Sequence, residues 1–195
     1  MKGILARKIG MTRFISPETG EMSAVTVLQA AENTVVRVKK TEKDGYDAVV
    51  LGLGKKTKKG NAQWKYQKEL RLSEGSEWKT GDTITLDSLQ DVPAVTIQSV
   101  CKGRGFSGVI KRHNFSRGRE THGSHHHREP GSVGMCAKPG RILRGKKMPG
   151  QYGHQQVTLR DIPVLYVDTK NNIIAVKGPV PGAKKNFVFL YTSGR

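Results

Sequence analysis

Residues 101–155 read CKGRGFSGVIKRHNFSRGRETHGSHHHREPGSVGMCAKPGRILRGKKMPGQYGHQ, and this stretch separates two parts of the chain that differ in character. It carries twelve Lys and Arg but only Glu120 and Glu129, so its net charge is +10, out of +18 for all 195 residues. All six His and 11 of the 23 Gly also lie in it. Only seven of its residues are Leu, Ile, Val or Phe, which is too little apolar surface to offset the entropy lost when a backbone becomes ordered.

A disordered basic linker is the simplest interpretation of this composition. The alternative is an extension that folds against RNA, whose phosphates neutralise Lys and Arg while glycines let the backbone approach closely. A flexible linker would carry runs of Ser and Gly. This segment instead has bulky residues spaced through it, which favours a specific bound shape: Phe106, Phe115, Ile142, Leu143, Met148 and Tyr152.

The flanking residues, 1–100 and 156–195, are typical of a mainly β globular part with short strands between turns. Alternation of apolar and polar residues, or a run of β-branched ones, predicts strands at Ser23–Leu28, Thr34–Val38, Ala48–Leu53, Glu69–Leu72, Thr83–Leu86, Ala94–Val100, Pro163–Val167, Ile173–Val176 and Phe187–Tyr191. Asn171-Asn172 predicts a hairpin turn. Strands at this spacing suggest a small barrel or sandwich. The only helical candidates are Asn61–Tyr66 and a turn or two at Gly105–Arg112.

Composition excludes two broad classes of protein. A disulfide scaffold is excluded because two cysteines cannot staple a chain of 195 residues. No stretch approaches the roughly 20 apolar residues of a membrane-spanning helix, so a polytopic membrane protein is excluded. Arg7 and Lys8 interrupt any apolar signal-peptide core, so we expect Cys101 and Cys136 to be reduced thiols in a cytosol. The excess of positive charge indicates a polyanionic partner, of which nucleic acid is the commonest. An acidic membrane surface, or a chaperone-like role, is the weaker alternative.

Two motifs point elsewhere. Gly103–Gly108 matches G-x-G-x-x-G after a predicted strand, with Glu129 some way beyond, so a dinucleotide-binding enzyme is the alternative function. A Rossmann unit needs long helices and parallel strands, and neither is predicted here. The run of His around His125–His127 invites a metal, but zinc sites show two tight ligand pairs. We expect no metal, no cofactor and no catalytic residue.

The order of motifs along the chain resembles a known family, the bacterial-type large-subunit ribosomal proteins of the L3 family. The resemblance is carried by Gly10–Phe14, Lys102–Phe115, Thr121–Ser124, His127-Arg128, Pro130–Gly134, Pro139–Ile142, Gly145–Met148, Gly150–Gly153 and Val176–Gly182. Three features depart from the family pattern. Pro149 stands where the family has alanine, Lys55–Glu69 is shorter than the usual helix-bearing insertion, and the run His125–His127 is richer in His.

The resemblance implies a fold and a function. It implies a closed six-stranded barrel like that of translation factors, with a minor α+β part, and a long irregular basic extension at 101–155 that penetrates ribosomal RNA. It implies binding to large-subunit ribosomal RNA near its 3′ domain, an early role in subunit assembly, and neighbouring ribosomal proteins as partners in a cytoplasmic ribosome. A tip at about Arg144–Gln151 would approach the peptidyl transferase centre, which is itself RNA. Gln151 matches an N5-methylglutamine site, and a glutamine methyltransferase would then be a partner.

The candidate RNA-binding residues are the cations of the extension, most of its His and one amide. The cations neutralise phosphates, and the His and Gln donate to phosphates, bases or 2′-hydroxyls. They are Lys102, Arg104, Lys111, Arg112, His113, Arg117, Arg119, His122, His125, His127, Arg128, Lys138, Arg141, Arg144, Lys146, Lys147 and Gln151.

Overall fold

A computed structural model describes residues 2–17, 19–30, 32–58, 61–72 and 78–192. Two compact units make up the chain: Met1–Cys101 together with Gln156–Arg195, and Lys102–Gln155. The described elements, in chain order, are β1 Gly3–Ile15, β2 Met22–Gln29, β3 Asn33–Lys39, α1 Thr41–Asp44, β4 Ala48–Lys58, β5 Asn61–Arg71, β6 Thr83–Ile84, a 3₁₀ turn Leu86–Leu89, β7 Ala94–Val100, β8 Phe106–Ser107, α2 Val109–His113, β9 Gly150–Gln151, β10 Gln156–Asp168, β11 Ile173–Lys177 and β12 Phe187–Tyr191. The prediction of a mainly β protein is confirmed.

Six strands of the first unit close into a barrel in the order β1-β12-β7-β10-β11-β2, and every neighbouring pair is antiparallel. Closure leaves these strands without a free edge. Five of them each contribute a fully buried aliphatic side chain to one core: Ile4, Leu28, Ile97, Ile174 and Leu190. The sixth strand, β10, adds partly buried aliphatic side chains to the same core.

A second sheet, with the order β5-β4-β3-β6, packs on the outside of the barrel. Leu5 and Phe189 alternate with the inward-facing Ile4 and Leu190, so they point out of the barrel. They form a second core with Leu51 and other apolar residues of the sheet. The first four residues of β1 and the centre of β12 are therefore buried on both faces, which explains the uninterrupted apolar run at the start of β1.

Most of the predicted strands lie where the pattern placed them, and the Asn171-Asn172 turn does join β10 to β11 as a hairpin. The helix predicted at Asn61–Tyr66 is wrong. That segment is the first half of β5, which pairs with β4 along its whole length. Trp64 and Tyr66 alternate with more exposed residues there, which is a strand period. Outside the extension, the sequence has a second basic cluster at Lys55–Lys59. Its residues Lys55–Lys58 lie in β4, and Lys59 lies outside the described residues.

Strand β1 has no strand prediction because its charged residues break the apolar pattern. One of them, Lys8, is buried, and its Nζ donates to the carbonyl oxygens of Val180 at 2.5 Å and Gly182 at 3.3 Å. Carbonyl acceptors of this kind are what a buried ammonium group needs. No helix of the described chain is long and apolar enough to cross a bilayer.

Asn33 continues the barrel ladder where a strand is missing. β2 pairs with β1 only from Arg7 onward, so Leu5 lacks a backbone partner on that side. The fully buried Asn33 side chain supplies both bonds: Leu5 N–H donates to Oδ1 at 3.0 Å, and Nδ2 donates to Leu5 O at 3.0 Å. A side-chain amide thus substitutes for a peptide group at the end of the ladder.

We predict that Asn33→Ala lowers the free energy of unfolding by about 2–4 kcal/mol, because two buried backbone groups of Leu5 lose their partners. Urea denaturation of the full chain measures this. The matched control is Gln63→Ala, at an exposed position of β5, which should change stability by less than about 0.5 kcal/mol. Equal effects of the two substitutions would contradict the assignment.

Candidate nucleic-acid interface

The second unit, residues 102–155, is described throughout and has almost no interior. Only Ser107, Val109 and Gly153 are buried in it. Of its twelve Lys and Arg, eleven are exposed, and Arg112 is half-buried. With Glu120 and Glu129 as the sole acidic residues, most of this positive charge has no partner within the unit. A surface of this kind attracts a polyanion.

A short hairpin joins the two ends of the unit. β8 and β9 pair antiparallel, with Phe106 opposite Gln151 and Ser107 opposite Gly150. Next to them, Tyr152 N–H donates to Gly105 O at 2.9 Å, and Arg104 N–H donates to Tyr152 O at 2.9 Å. Arg104 and Gly105 thus lie opposite the single residue Tyr152, as in a β-bulge, and Gly105 adopts a positive φ of 65° there.

The two faces of this hairpin have different surroundings. Directly opposite residues of an antiparallel pair share a face, so Ser107 and Gly150 form the inner face, and Phe106 and Gln151 form the outer face. On the inner face Ser107 is buried, and a Cβ at Gly150 would stand 2.7 Å from Arg112 Nη1. On the outer face both side chains are exposed.

Two of the predicted RNA ligands also bind the protein itself. Arg112 Nη1 donates to Met148 O at 2.7 Å, and His113 Nε2 donates to the same oxygen at 3.0 Å. We call this arrangement the Met148 clamp. Helix α2 places both donors, and it ends at Asn114, whose positive φ of 59° stops the helix. The clamp holds the chain just before β9.

The segment between the clamp residues is held by backbone contacts, side-chain hydrogen bonds and a weak ion pair. Gly118 N–H donates to His127 O at 3.1 Å, and His127 Nδ1 donates to Arg119 O at 2.9 Å. An exposed ion pair joins Arg117 to Glu120 at 3.0 Å, and His126 Nδ1 forms a hydrogen bond with Glu129 Oε2 at 3.1 Å. Ion pairs this exposed contribute little to stability, about 0–1 kcal/mol each.

The remaining candidates have side chains directed to solvent. Their polar side-chain atoms make no hydrogen bond or ion pair to any described residue, although the Arg104 guanidinium lies 5.0 Å from the Tyr152 ring centroid. Free donors on an exposed, glycine-rich backbone are suited to contact phosphates. They are Lys102, Arg104, Lys111, Arg119, His122, His125, Arg128, Lys138, Arg141, Arg144, Lys146, Lys147 and Gln151.

Sequence reasoning missed the Met148 clamp. Its partners are 36 and 35 residues apart, and a backbone carbonyl leaves no mark in a sequence. The glycines of the segment give only an indirect signal that backbone segments approach closely. Gly153 at φ +73° marks a tight backbone approach, because a Cβ there would meet Lys102 O at 2.1 Å.

The geometry excludes the dinucleotide alternative. β7, which precedes Gly103–Gly108, pairs antiparallel with both β10 and β12, and the helix after the glycines has only five residues. A Rossmann unit needs a parallel crossover and a long helix whose N-terminus faces the pyrophosphate. Among the described residues, no group of three or more His, Cys, Asp or Glu is arranged to hold a metal ion.

Comparison with known proteins gives consistent matches. Residues 79–169 match the family model described as Ribosomal protein L3. The chain is similar to the large ribosomal subunit protein uL3 of Oceanobacillus iheyensis, with 42% identity over 200 residues that cover 96% of this chain and 95% of the relative. Proteins of the same name from Alkaliphilus metalliredigens and Staphylococcus epidermidis are 39% and 40% identical, over 99% and 98% of this chain and 98% and 96% of theirs.

We predict that Gly153→Ala opens the hairpin at the base of the unit. The new Cβ collides with Lys102 O, so the Arg104 and Tyr152 amides should exchange with solvent about tenfold faster or more. Hydrogen exchange of the full chain reads both amides. Gly145→Ala is the matched control, because Gly145 has a similar φ of +82° but nothing within 4 Å of the new Cβ. Unchanged exchange at both amides in Gly153→Ala would disprove the packing described.

Proposed function

Since the chain belongs to the ribosomal protein L3 family, whose members are structural proteins and not enzymes, we propose that it binds large-subunit ribosomal RNA directly through residues 101–155. The protein is a component of the large ribosomal subunit in the bacterial cytoplasm. Residues 1–100 and 156–195 form the globular β part, of the barrel type seen in translation factors, and 101–155 form the RNA-penetrating extension.

One observation carries the proposal: eleven exposed cations lie on a unit of 54 residues with three buried residues. Such a unit has too little apolar contact to balance the repulsion between its charges. RNA supplies the missing counter-charge, and the condensed cations that RNA releases supply the driving force. The exposed backbone turns at glycine let phosphates approach closely.

The positive residues divide into two roles under this proposal. Arg112 and His113 position the chain through the Met148 clamp, and they contact RNA less than the sequence predicts. The exposed cations bind phosphates. Of four such cations, Arg141 precedes the tip at Arg144–Gln151, and Arg144, Lys146 and Lys147 lie within it. This tip supports the peptidyl transferase centre, and the protein acts early in subunit assembly, near the 3′ domain of the RNA.

Gln151 is the proposed site of N5-methylation. It lies exposed on the outer face of the hairpin, within reach of a glutamine methyltransferase. Pro149 fixes the backbone φ two residues earlier, so the enzyme would meet a stiffened segment. Neighbouring ribosomal proteins are the other proposed partners.

We predict a steep salt dependence for RNA binding. With about six of the exposed cations on phosphates, log K should fall against log[salt] with a slope of about −4 to −5. Filter binding of the full chain to a transcript of the 3′ domain of large-subunit ribosomal RNA measures the slope. A slope near zero would contradict phosphate binding by this segment.

We predict that replacing Arg141, Arg144, Lys146 and Lys147 together by Ala makes that slope shallower by about 3, because four phosphate contacts are lost. The melting temperature should stay the same within error, since these side chains have no partner among the described residues. The matched control replaces Lys40, Lys43, Lys79 and Lys170, four exposed cations outside the extension, by Ala. An equal loss in both variants would show that only net charge matters.

A further inference from the structure

Phe106 is the most exposed large apolar side chain among the described residues, with 79% of its surface accessible. It is held in β8, and its backbone partner Gln151 is exposed beside it on the outer face of the hairpin. The inner face has packing partners, since Ser107 is buried and Arg112 lies against Gly150. The hairpin therefore turns its one large ring away from the protein.

The backbone that carries the Phe106 ring is held in place. Paired strands on one side and the bulge at Arg104 and Gly105 on the other leave the Phe106 backbone little freedom. The side chains of directly paired residues lie about 4.5–5.5 Å apart at Cβ, so Gln151 is the cross-strand neighbour of Phe106 on the outer face, and its amide can reach a group that contacts the ring. An aromatic plane next to a group that both donates and accepts hydrogen bonds is suited to a nucleobase.

Charge around the ring selects the kind of partner. Both strands of the hairpin lie in stretches without Asp or Glu, residues 92–119 and 130–160. Lys102 and Arg104 precede Phe106 in the chain and are exposed. A protein surface offered to this patch would need a matching negative charge, whereas RNA carries that charge on the same molecule as its bases.

We propose that Phe106 stacks on an unpaired base of large-subunit ribosomal RNA, and that the Gln151 amide bonds to the same nucleotide. This rests on the proposed function and adds to it a contact that is not electrostatic. Stacking of a base on a ring releases no condensed counterions, so it changes affinity without changing the salt dependence. That difference separates Phe106 from every cation of the extension.

Filter binding of the full chain to the 3′-domain transcript tests the proposal. Phe106→Ala and Phe106→Leu should both weaken binding about tenfold, because both lose the ring, and the salt slope should stay at the wild-type value. Phe106→Trp should restore wild-type affinity. The matched control is Met135→Ala, which removes a large exposed side chain without a ring from the same unit and should leave affinity unchanged.

Ultraviolet crosslinking of the wild-type complex, read by mass spectrometry of the peptides, gives a second measurement. A nucleotide adduct on Phe106 supports stacking. Absence of this adduct overturns the stacking contact. Equal affinity of Phe106→Ala and the wild type also overturns it. If the wild type still binds the transcript with a steep salt slope, the proposed function stands in both cases. A third outcome concerns Gln151 methylation in cells. If Phe106→Ala abolishes this methylation and keeps wild-type RNA affinity, the patch binds a modifying enzyme and the stacking proposal is overturned. Failure of the wild type to bind the transcript more tightly than an unrelated RNA would instead overturn the proposed function.

Discussion

Mutual repulsion among the twelve cations of residues 102–155 is the constraint on which the arrangement of this protein depends. Two glutamates cannot balance it, and three buried residues cannot offset it with apolar contact. Eleven of these cations are exposed, and the unit is organised by backbone hydrogen bonds, the short β8–β9 hairpin and the Met148 clamp. Glycine is frequent because backbone must approach backbone where side chains give no interior, as at Gly153.

The barrel, in contrast, has an apolar interior, and the chain connects it to the basic segment at one pair of neighbouring strands. β7 ends at Val100 and β10 begins at Gln156, and these two residues are paired partners. The basic segment therefore leaves and re-enters the globular part at adjacent positions, so its insertion interrupts no strand pairing of the barrel. Closure of the six strands, continued by Asn33 where β2 is absent, uses no residue of the basic segment.

Sequence patterns predicted the parts of this protein whose physics is local. Alternating apolar strands, the Asn171-Asn172 hairpin and the exposure of the cations all follow from side-chain chemistry near each position. They failed where a distant group changes the local rule. Lys8 interrupts the apolar pattern of β1, and its burial could not be predicted because its carbonyl acceptors lie more than 170 residues away. The segment from Asn61 is a strand because β4 pairs with it, and the bond from Arg112 to the Met148 carbonyl oxygen joins residues 36 positions apart and leaves no local pattern.

Charge also has a different meaning in the two parts of the chain. Outside 101–155 the sequence has 22 Lys and Arg against 14 Asp and Glu, and some of these meet in structure. Lys39 donates to Glu69 and to Tyr46; these bonds raise the pKa of Lys39, and the Lys39 bond lowers that of Glu69. Inside the segment most cations have no protein acceptor. Removing a cation from the globular part can therefore disturb folding, whereas removing an exposed cation without a protein acceptor from the segment leaves the hydrogen bonds of the protein unchanged. Under the proposed function, stability and RNA affinity therefore change independently along this one chain.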